Sequence, residues 1–441
     1  VTHVSREGNG DETARPQTVN TRAHGGAGPP ETGENEGTHM EATDVWTLTS
    51  TALVLIMTPG LALFYGGLVR VRSVVNMMLF SVSAMGMVGV LWILFGYSMS
   101  VFGEGDGWFA GSPLRDFGLA HTDPSEFIGV GFGAVFAMIT TALISGAIAD
   151  RVGLGSWVLF AGIWASLVYF PVAAWVWGGG WISKLGVWLG TPDVIDLAGG
   201  TAIHINAGAA ALALALVVGK RRDFAPGAHR PHSIPLVTIG AALLWFGWIG
   251  FNAGLATEAG TAGLILINTL GAPAAAIMGW LAVDTLRGRK PGVVGAASGA
   301  VAGLVAITPA AANLSPAFAL LLGALAGAAC AVAIEWKFRL GFDDSLDVVG
   351  LHLVAGVLGT VYLGFFALSD GLFTGGDSGL LLVQVISVVG VVLYSFVVSL
   401  VIALGVKLTT GLRVPQSVED SGIDAAAHGE TAYALEGSDR T

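Results

Sequence analysis

From Val45 onward the chain alternates long apolar stretches with short polar breaks. A helix needs about 20 apolar residues to cross a hydrocarbon layer of roughly 30 Å at ~1.5 Å per residue. Eleven stretches meet that length, with cores near 45–69, 74–101, 125–149, 154–177, 197–219, 233–253, 261–285, 292–311, 316–338, 345–368 and 379–407. The pattern predicts an all-α polytopic membrane protein with eleven transmembrane helices. The polar breaks orient it. Arg70 and Arg72, Arg151, Lys220 to Arg222 with Arg230, Arg287 with Arg289 and Lys290, and Lys337 with Arg339 fall in alternate loops. The opposite loops hold only Arg115 and Lys184. Basic loops stay on the cytoplasmic side, which puts the N-terminus outside and the C-terminus inside.

The fifth stretch, Asp196 to Lys220, carries the densest information: DLAGGTAIHINAGAAALALALVVGK. Asp196 stands as N-cap, its carboxylate placed to accept from free backbone N–H groups at the positive end of the helix dipole. Gly199, Gly200 and Gly208 let neighbouring helices come close. His204 lies eight residues in, about 12 Å down the axis and inside the hydrocarbon layer. A second histidine, His352, sits in the tenth stretch, five residues past Asp347. Each opens a similar pattern, HINAG at 204–208 and HLVAG at 352–356. An odd number of helices per half requires the second half to be inserted upside down. The chain therefore reads as two inverted five-helix repeats, about 45–219 and 233–368, plus a last helix at about 379–407; such repeats place a site near the membrane midplane.

The flanks are polar. Residues 1–43 are rich in Gly, Glu, Thr, Asn and Pro and read as a disordered extracellular tail without the apolar core of a signal peptide. Met40, just ahead of the first apolar run, is the expected start of translation. Residues 411–441 form an acidic cytoplasmic tail after a membrane domain at 44–410. On composition alone its GIDAAAHGETAY segment, 422–433, is solvated and without chemistry.

Composition agrees with the helix pattern. The 441 residues are 54% hydrophobic and 12% charged, with 65 glycines, which excludes a soluble domain. The one cysteine, Cys330, cannot form a disulfide framework. A net charge of -11 excludes a basic nucleic-acid surface.

Ionisable groups inside a membrane are costly and mark pathways. Two uncharged imidazoles sharing a proton would leave hydrogen-bonding edges along an apolar channel. Such a lining suits a small neutral polar molecule and offers a hydrated cation little. Aromatic residues gather near the outer ends of three stretches. Phe132 and Phe136 share a helix face at i, i+4. Trp177 ends the fourth stretch, and Trp248 and Phe251 lie near the outer end of the sixth. Aromatic faces at a pore mouth attract a cation by about 0.5–2 kcal/mol, and stacked phenyl rings make a hydrophobic constriction.

Several runs carry a resemblance. PGLALFYGGLVR (59–70), FAMITTALISGAIADR (136–151), WVWGGG (175–180), DLAGGTAIHINA (196–207), WIGFNAG (248–254), DDSLDVVGLHLVAG (343–356) and GLRVPQSVEDSGIDAAAHGETAY (411–433) resemble the ammonium transporter family, with the Rhesus proteins as its distant relatives. The resemblance covers about 45–435 and implies a cell-membrane homotrimer with one pore per subunit. It implies ammonium recruitment by Trp177, Phe132 and Phe136, with methylammonium as an analogue. It implies a gate of Phe136 and Phe251, and a pore lined by His204, His352 and Trp248. Asp196 would favour the cation from behind. Trp177 is similar to the ammonium-transporter branch rather than the Rhesus branch. The tail would pack beneath the subunits and help a trimeric PII-type signal protein plug the pores. Leu255 departs from the pattern, since the family usually has serine there, and leucine accepts no hydrogen bond.

Two rivals differ in class. A sensor would bind at the same site and signal through the tail, although no output domain is present. An intramembrane enzyme would need more ligands than two histidines, and no HExxH occurs. No cofactor or metal is expected, and no enzymatic activity.

Overall fold

The computed structural model describes residues 40–228 and 230–433. The expectations for residues 1–39 and for the end of the tail, 434–441, lie outside the described residues. Within the described residues the chain is helical, with one isolated backbone bridge, Val152 to Arg413, and no strand.

Among the described residues ten helices are long and apolar enough to span a membrane: α1 Ala42–Leu68, α2 Val74–Ser100, α3 Pro124–Ile148, α4 Leu154–Val176, α5 Gly200–Val218, α6 Ile234–Ala253, α7 Ala259–Leu286, α9 Pro316–Leu340, α10 Val349–Phe366 and α11 Gly379–Thr409. The eighth stretch, expected over 292–311, is α8, Val293–Ile307, only 15 residues long. Pro309 follows, within a run of turns from Thr308 to Asn313. The Pro309 carbonyl accepts from Leu197 N at 3.2 Å, so the early end of α8 fixes the approach to α5.

Prolines inside two spans free carbonyls for other use without ending the helix. Pro171 cannot donate to Leu167, whose oxygen accepts instead from the Tyr394 hydroxyl at 2.5 Å. Pro273 likewise releases the Thr269 carbonyl, which takes the Trp245 indole N–H at 3.2 Å. In lipid, a freed backbone group must be re-satisfied from within the protein. Helices meet through small residues. A Cβ on Gly323 or Gly327 of α9 would lie 2.0 Å from the carbonyl oxygens of Ala272 and Ala276 on α7, so only glycine permits that approach. The outward face of α11 runs apolar from Leu382 through Val389 and Val397 to Leu408, all exposed, as lipid contact requires. Its inner face carries Gln384, Ser395 and Ser399, which are buried.

The basic loops converge at one end. Asp343, fully buried, binds Arg151 at 3.1 Å and Arg221 at 2.8 Å, and Arg221 also reaches Asp150 at 3.4 Å. Burial would raise the Asp343 carboxyl, but its bonds to Arg221 and the charges of both arginines hold it below the usual range. Removing one member of such a buried network costs about 3–5 kcal/mol. This cluster joins the α3–α4, α5–α6 and α9–α10 loops.

The tail is not the free segment that composition suggests. Val414 N donates to Arg151 O at 2.9 Å. The Asp424 carboxylate accepts from Val75 N at 3.0 Å and Asn76 N at 2.9 Å, and so caps α2 from more than 300 residues away in sequence. His428 pairs with the Asn76 amide oxygen at 2.9 Å, and Arg222 with Asp420 at 2.8 Å. Each bond needs a partner on the membrane domain, which no local pattern in the tail reveals.

Candidate functional site

α5 begins at Gly200, three residues later than its apolar core at 197 suggests, because Gly199 takes a left-handed conformation (φ 109°) ahead of it. Asp196 is therefore not the N-cap residue itself. It reaches in from the preceding loop and does more than one cap can. Its carboxylate accepts from Gly199 N (2.9 Å), Gly200 N (2.5 Å), Thr201 N (2.9 Å) and Ala202 N (3.2 Å), and from the Thr201 hydroxyl. Burial pushes its carboxyl up, and the donors of Thr201, Ala202 and Gly200 pull the other way. The loop is clamped on both sides. Gln384 of α11 exchanges two bonds with the Ile195 backbone, at 3.0 and 2.8 Å.

The first turn of α5, Gly200–Ile205, is a wide π-turn, and so is Val349–Leu353 at the start of α10. Each carries its histidine, and an i→i+5 turn of this kind often marks a functional position. The helix that carries His352 is capped by an aspartate to which the sequence reading assigned no role. Asp347, from which the depth of His352 is counted above, has φ 64° and binds Lys337 at 2.5 Å. The cap is Asp344, whose Oδ2 accepts from Val349 N at 2.7 Å. Asp344 precedes His352 by eight residues, as Asp196 precedes His204. That equal spacing was the available signal, and counting from the nearer aspartate hid it.

The shared glycines explain why the two helices cross where they do. A Cβ on Gly208 would stand 2.5 Å from Leu353 N, and one on Gly356 would stand 3.0 Å from the Ile205 side chain. Each glycine lies four residues after its own histidine and meets the residue that follows the other. The rings consequently face each other. His204 Nδ1 and His352 Nδ1 are 3.2 Å apart, with ring centroids at 5.3 Å. One Nδ1 donates and the other accepts, so one Nε2 carries a hydrogen and the other a lone pair. His204 Nε2 is buried without a partner in the protein.

The remaining candidates extend this pair into a line. Trp248 stacks on His204 at 5.5 Å, and its indole N–H is taken by Thr308 Oγ1 at 2.8 Å. Phe251 follows at 6.2 Å from His204 and stacks on Phe136 at 4.3 Å, nearly parallel at 6°. Phe132 lies 4.7 Å from Phe136. Trp177 meets the Phe136 edge at 6.4 Å and is 41% exposed, its N–H bound to Asp196 O at 2.9 Å. With that N–H occupied, Trp177 offers only its face.

Three spaces follow one another along the line. At the Trp177 end a cavity of about 290 Å³ is bounded by Trp177, Phe132, Phe136, Tyr97 and Leu255. Beyond the Phe136–Phe251 stack, a tube past Trp248, His204 and His352 leaves about 10 Å³, room for about one water-sized molecule. Leu351 lines both this tube and a third cavity of about 470 Å³ among Arg221, Lys337 and Asp347. Among the described residues no group of three or more His, Cys, Asp or Glu side chains is arranged to hold a metal. Sequence reasoning assigned no role to Tyr65, Leu351 and Asp344, which sit in or beside these spaces, although they fall within the runs 59–70 and 343–356.

Comparison with known proteins agrees with this helical fold. The sequence profile described as the Ammonium Transporter Family matches residues 45–433. The ammonium transporter of Mycobacterium tuberculosis (strain ATCC 25618 / H37Rv) is 49% identical over 426 residues, covering 88% of this chain and 89% of its own. That of Bacillus subtilis (strain 168) is 43% identical over 397 residues, covering 86% and 96%. Among solved structures, Candida albicans Mep2 superposes with a TM-score of 0.76 at 31% identity, covering 85% of this chain and 87% of Mep2. A structure named Sensor Amt Protein gives a TM-score of 0.80 at 26% identity, covering 88% and 98%. A multi-pass helical fold, a shared sequence from the first span to the docked tail, and likeness to proteins named for ammonium transport lead to one assignment: the chain belongs to the ammonium transporter family.

Proposed function

We propose that the protein takes ammonium from the aromatic cavity, removes its proton near Phe136, and conducts ammonia past His204 and His352 across the cell membrane. The observation that carries this reading is the 3.2 Å histidine pair in a tube with only about 10 Å³ of room. Moving a bare cation into such surroundings costs far more than two neutral rings return. Ammonia both donates and accepts, matching the one donor and one acceptor that the paired rings turn toward the tube. Trp177, Phe132 and Phe136 recruit the cation through their faces, each worth about 0.5–2 kcal/mol. Phe136 and Phe251 form the gate, Trp248 lines the pore, and Asp196 favours the cation from behind Trp177. The two inverted repeats bring α5 and α10 together from opposite sides. The cavity with Arg221 and Lys337 faces the cytoplasm, because basic loops are retained there.

Initial uptake of labelled methylammonium into vesicles containing the purified protein tests the reading and separates transport from sensing. His204→Ala or His352→Ala removes one neutral hydrogen bond to the passing molecule, about 1–1.5 kcal/mol, or roughly ten-fold in rate. Uptake and selectivity unchanged in both variants would take the rings out of the mechanism. Leu255, 43% exposed at the outer cavity, supplies no acceptor. Leu255→Ser is expected to lower the half-saturating methylammonium concentration by about 2–10-fold, since a hydrogen bond to a charged group is worth up to ~1.5 kcal/mol in this partly wet position. An unchanged half-saturation would mean the position contributes nothing to recruitment.

The same reading includes a homotrimer with one tube per subunit. It also includes a PII-type signal protein seated on the docked tail and the basic face. The mass of the detergent-purified protein and its retention on immobilised PII protein check both.

A further inference from the structure

Asp196 and Asp344 occupy matching places, but their carboxylates are treated differently. Both oxygens of Asp196 are filled by backbone N–H groups and the Thr201 hydroxyl. Asp344 is served by backbone N–H groups alone, Val349 N at 2.7 Å to Oδ2 with Val348 beside it, while its Oδ1 is buried without a partner in the protein. The neighbouring cation does not bond its carboxylate. Lys337 Nζ binds the Asp344 carbonyl oxygen at 2.8 Å and the Asp347 carboxylate at 2.5 Å, passing over the Asp344 carboxylate. Asp343, next in the chain, is bound to Arg151 and Arg221.

The position of Asp344 relates it to the tube. Its segment packs beside Tyr65 of α1. The Gly146 carbonyl accepts from Leu346 N at 3.1 Å, and a Cβ on Gly146 would meet both the Tyr65 ring and Val348, at 2.7 and 2.8 Å. Tyr65 lines the tube together with His352 and Leu351. On the other side Ser345, Leu346 and Asp347 line the basic cavity. The charged and titratable groups around it are thus Lys337, Asp347, Tyr65 and the Asp343 cluster. Burial, opposed by Lys337 and reinforced by Asp347, pushes the Asp344 carboxyl up to about 6.

We propose that Asp344 is the proton donor at the basic end of the tube, returning a proton to ammonia that has passed His352, so that ammonium is what leaves through the cavity. The role rests on ammonia, not ammonium, passing the histidines. The O–H bond at Oδ1 breaks as an N–H bond forms on ammonia, which leaves a carboxylate and an ammonium ion. Water from the basic cavity carries the proton between them. The carboxylate then takes its next proton from the solvent of that cavity, one for each ammonia delivered. Asp347, paired with Lys337 and 30% exposed, presents its carboxylate to the departing cation.

Initial methylammonium uptake into vesicles of phosphatidylethanolamine and phosphatidylglycerol tests this, with external pH fixed and lumenal pH stepped between about 5 and 7.5. The unaltered protein is expected to slow several-fold as lumenal pH rises through about 6. Asp344→Asn keeps an oxygen for Val349 N but loses the proton, so its uptake is expected to be low and independent of lumenal pH. Asp347→Asn removes a like charge and is expected to move the midpoint to lower pH. A full lumenal-pH step in Asp344→Asn would overturn the proposal. If that variant fails to fold, an unmoved midpoint in Asp347→Asn overturns it instead. Uptake no better than in protein-free vesicles would defeat the transport reading itself, whereas normal uptake without these pH effects defeats only the donor role.

Discussion

Gly208→Ala is expected to destabilise the protein by about 3 kcal/mol, the upper range for overpacking a core, and to slow methylammonium uptake along with it. The added Cβ meets Leu353 N at 2.5 Å, Leu353 Cβ at 2.6 Å and Leu353 Cα at 2.8 Å. None of these is the free end of a flexible side chain, so no rotamer change relieves the contact. Carbon atoms rest at about 3.5–4.0 Å, so α5 and α10 must separate locally by roughly 1 Å. The histidine pair has no slack for that. Its Nδ1 atoms are already 3.2 Å apart, and another ~1 Å takes them beyond hydrogen-bonding range. Gly86→Ala is the matched control, because a Cβ there meets nothing within 4 Å. It is expected to leave both properties unchanged or to stabilise α2 slightly, since alanine favours helix by up to ~1 kcal/mol over glycine. Heating in detergent followed by size exclusion reads the stability difference, and vesicle assays read methylammonium uptake. Equal behaviour of the two alanine variants would mean that the crossing of α5 and α10 tolerates expansion.

Gly208 also marks what the sequence made legible. Apolar length alone located every span to within a few residues, because a hydrocarbon layer imposes one minimum length on all of them. The two HxxxG patterns were visible as letters. Their reason, each glycine meeting the residue beside the opposite histidine, needs both helices in place. The wide turns around His204 and His352 were invisible, since one extra residue per turn leaves no mark on an apolar pattern. The shortness of α8 was masked by the apolar residues that continue past Pro309, and these are buried in turns rather than in helix.

Polar residues were legible in proportion to how locally they act. Asp196 bonds to groups three to six residues ahead, so a capping argument found it even though the helix starts later than expected. Asp424 bonds to Val75 and Asn76, and nothing near it in sequence announces that role. Asp344 lies between these cases. Its cap is local, but Asp347 is nearer the histidine, and the depth of His352 was counted from there. In each case the deciding fact was the location of the donor, and sequence discloses that only when donor and acceptor are neighbours.

Asp196→Ala is expected to have the second large effect, and its physics differs from that of Gly208. Nothing clashes; five donors lose their acceptor. The N–H groups of Gly199, Gly200, Thr201 and Ala202 and the Thr201 hydroxyl all point at one carboxylate. A buried donor left unpaired costs about 1–3 kcal/mol, so even partial rescue by water leaves a loss of several kcal/mol, a large share of a typical total of 5–15 kcal/mol. The damage should be directional. Gln384 still holds Ile195 on one side, so the start of α5 loosens before the rest, and His204 sits within that first wide turn. Trp177 is tied to the Asp196 carbonyl at 2.9 Å, so it loses its anchor as the loop relaxes. Asp196→Asn separates the two contributions of the carboxylate. Its amide oxygen can keep about half of the bonds while the negative charge disappears, so stability should fall by less than in the alanine variant. Recruitment should fall by as much if charge is what favours the cation. Unfolding midpoints in detergent and half-saturation of methylammonium uptake, measured on both variants, distinguish these contributions. Should alanine and asparagine prove equally stable, the five bonds are not what holds the first turn of α5. If asparagine keeps the unaltered half-saturation, the charge of Asp196 plays no part in drawing ammonium to Trp177.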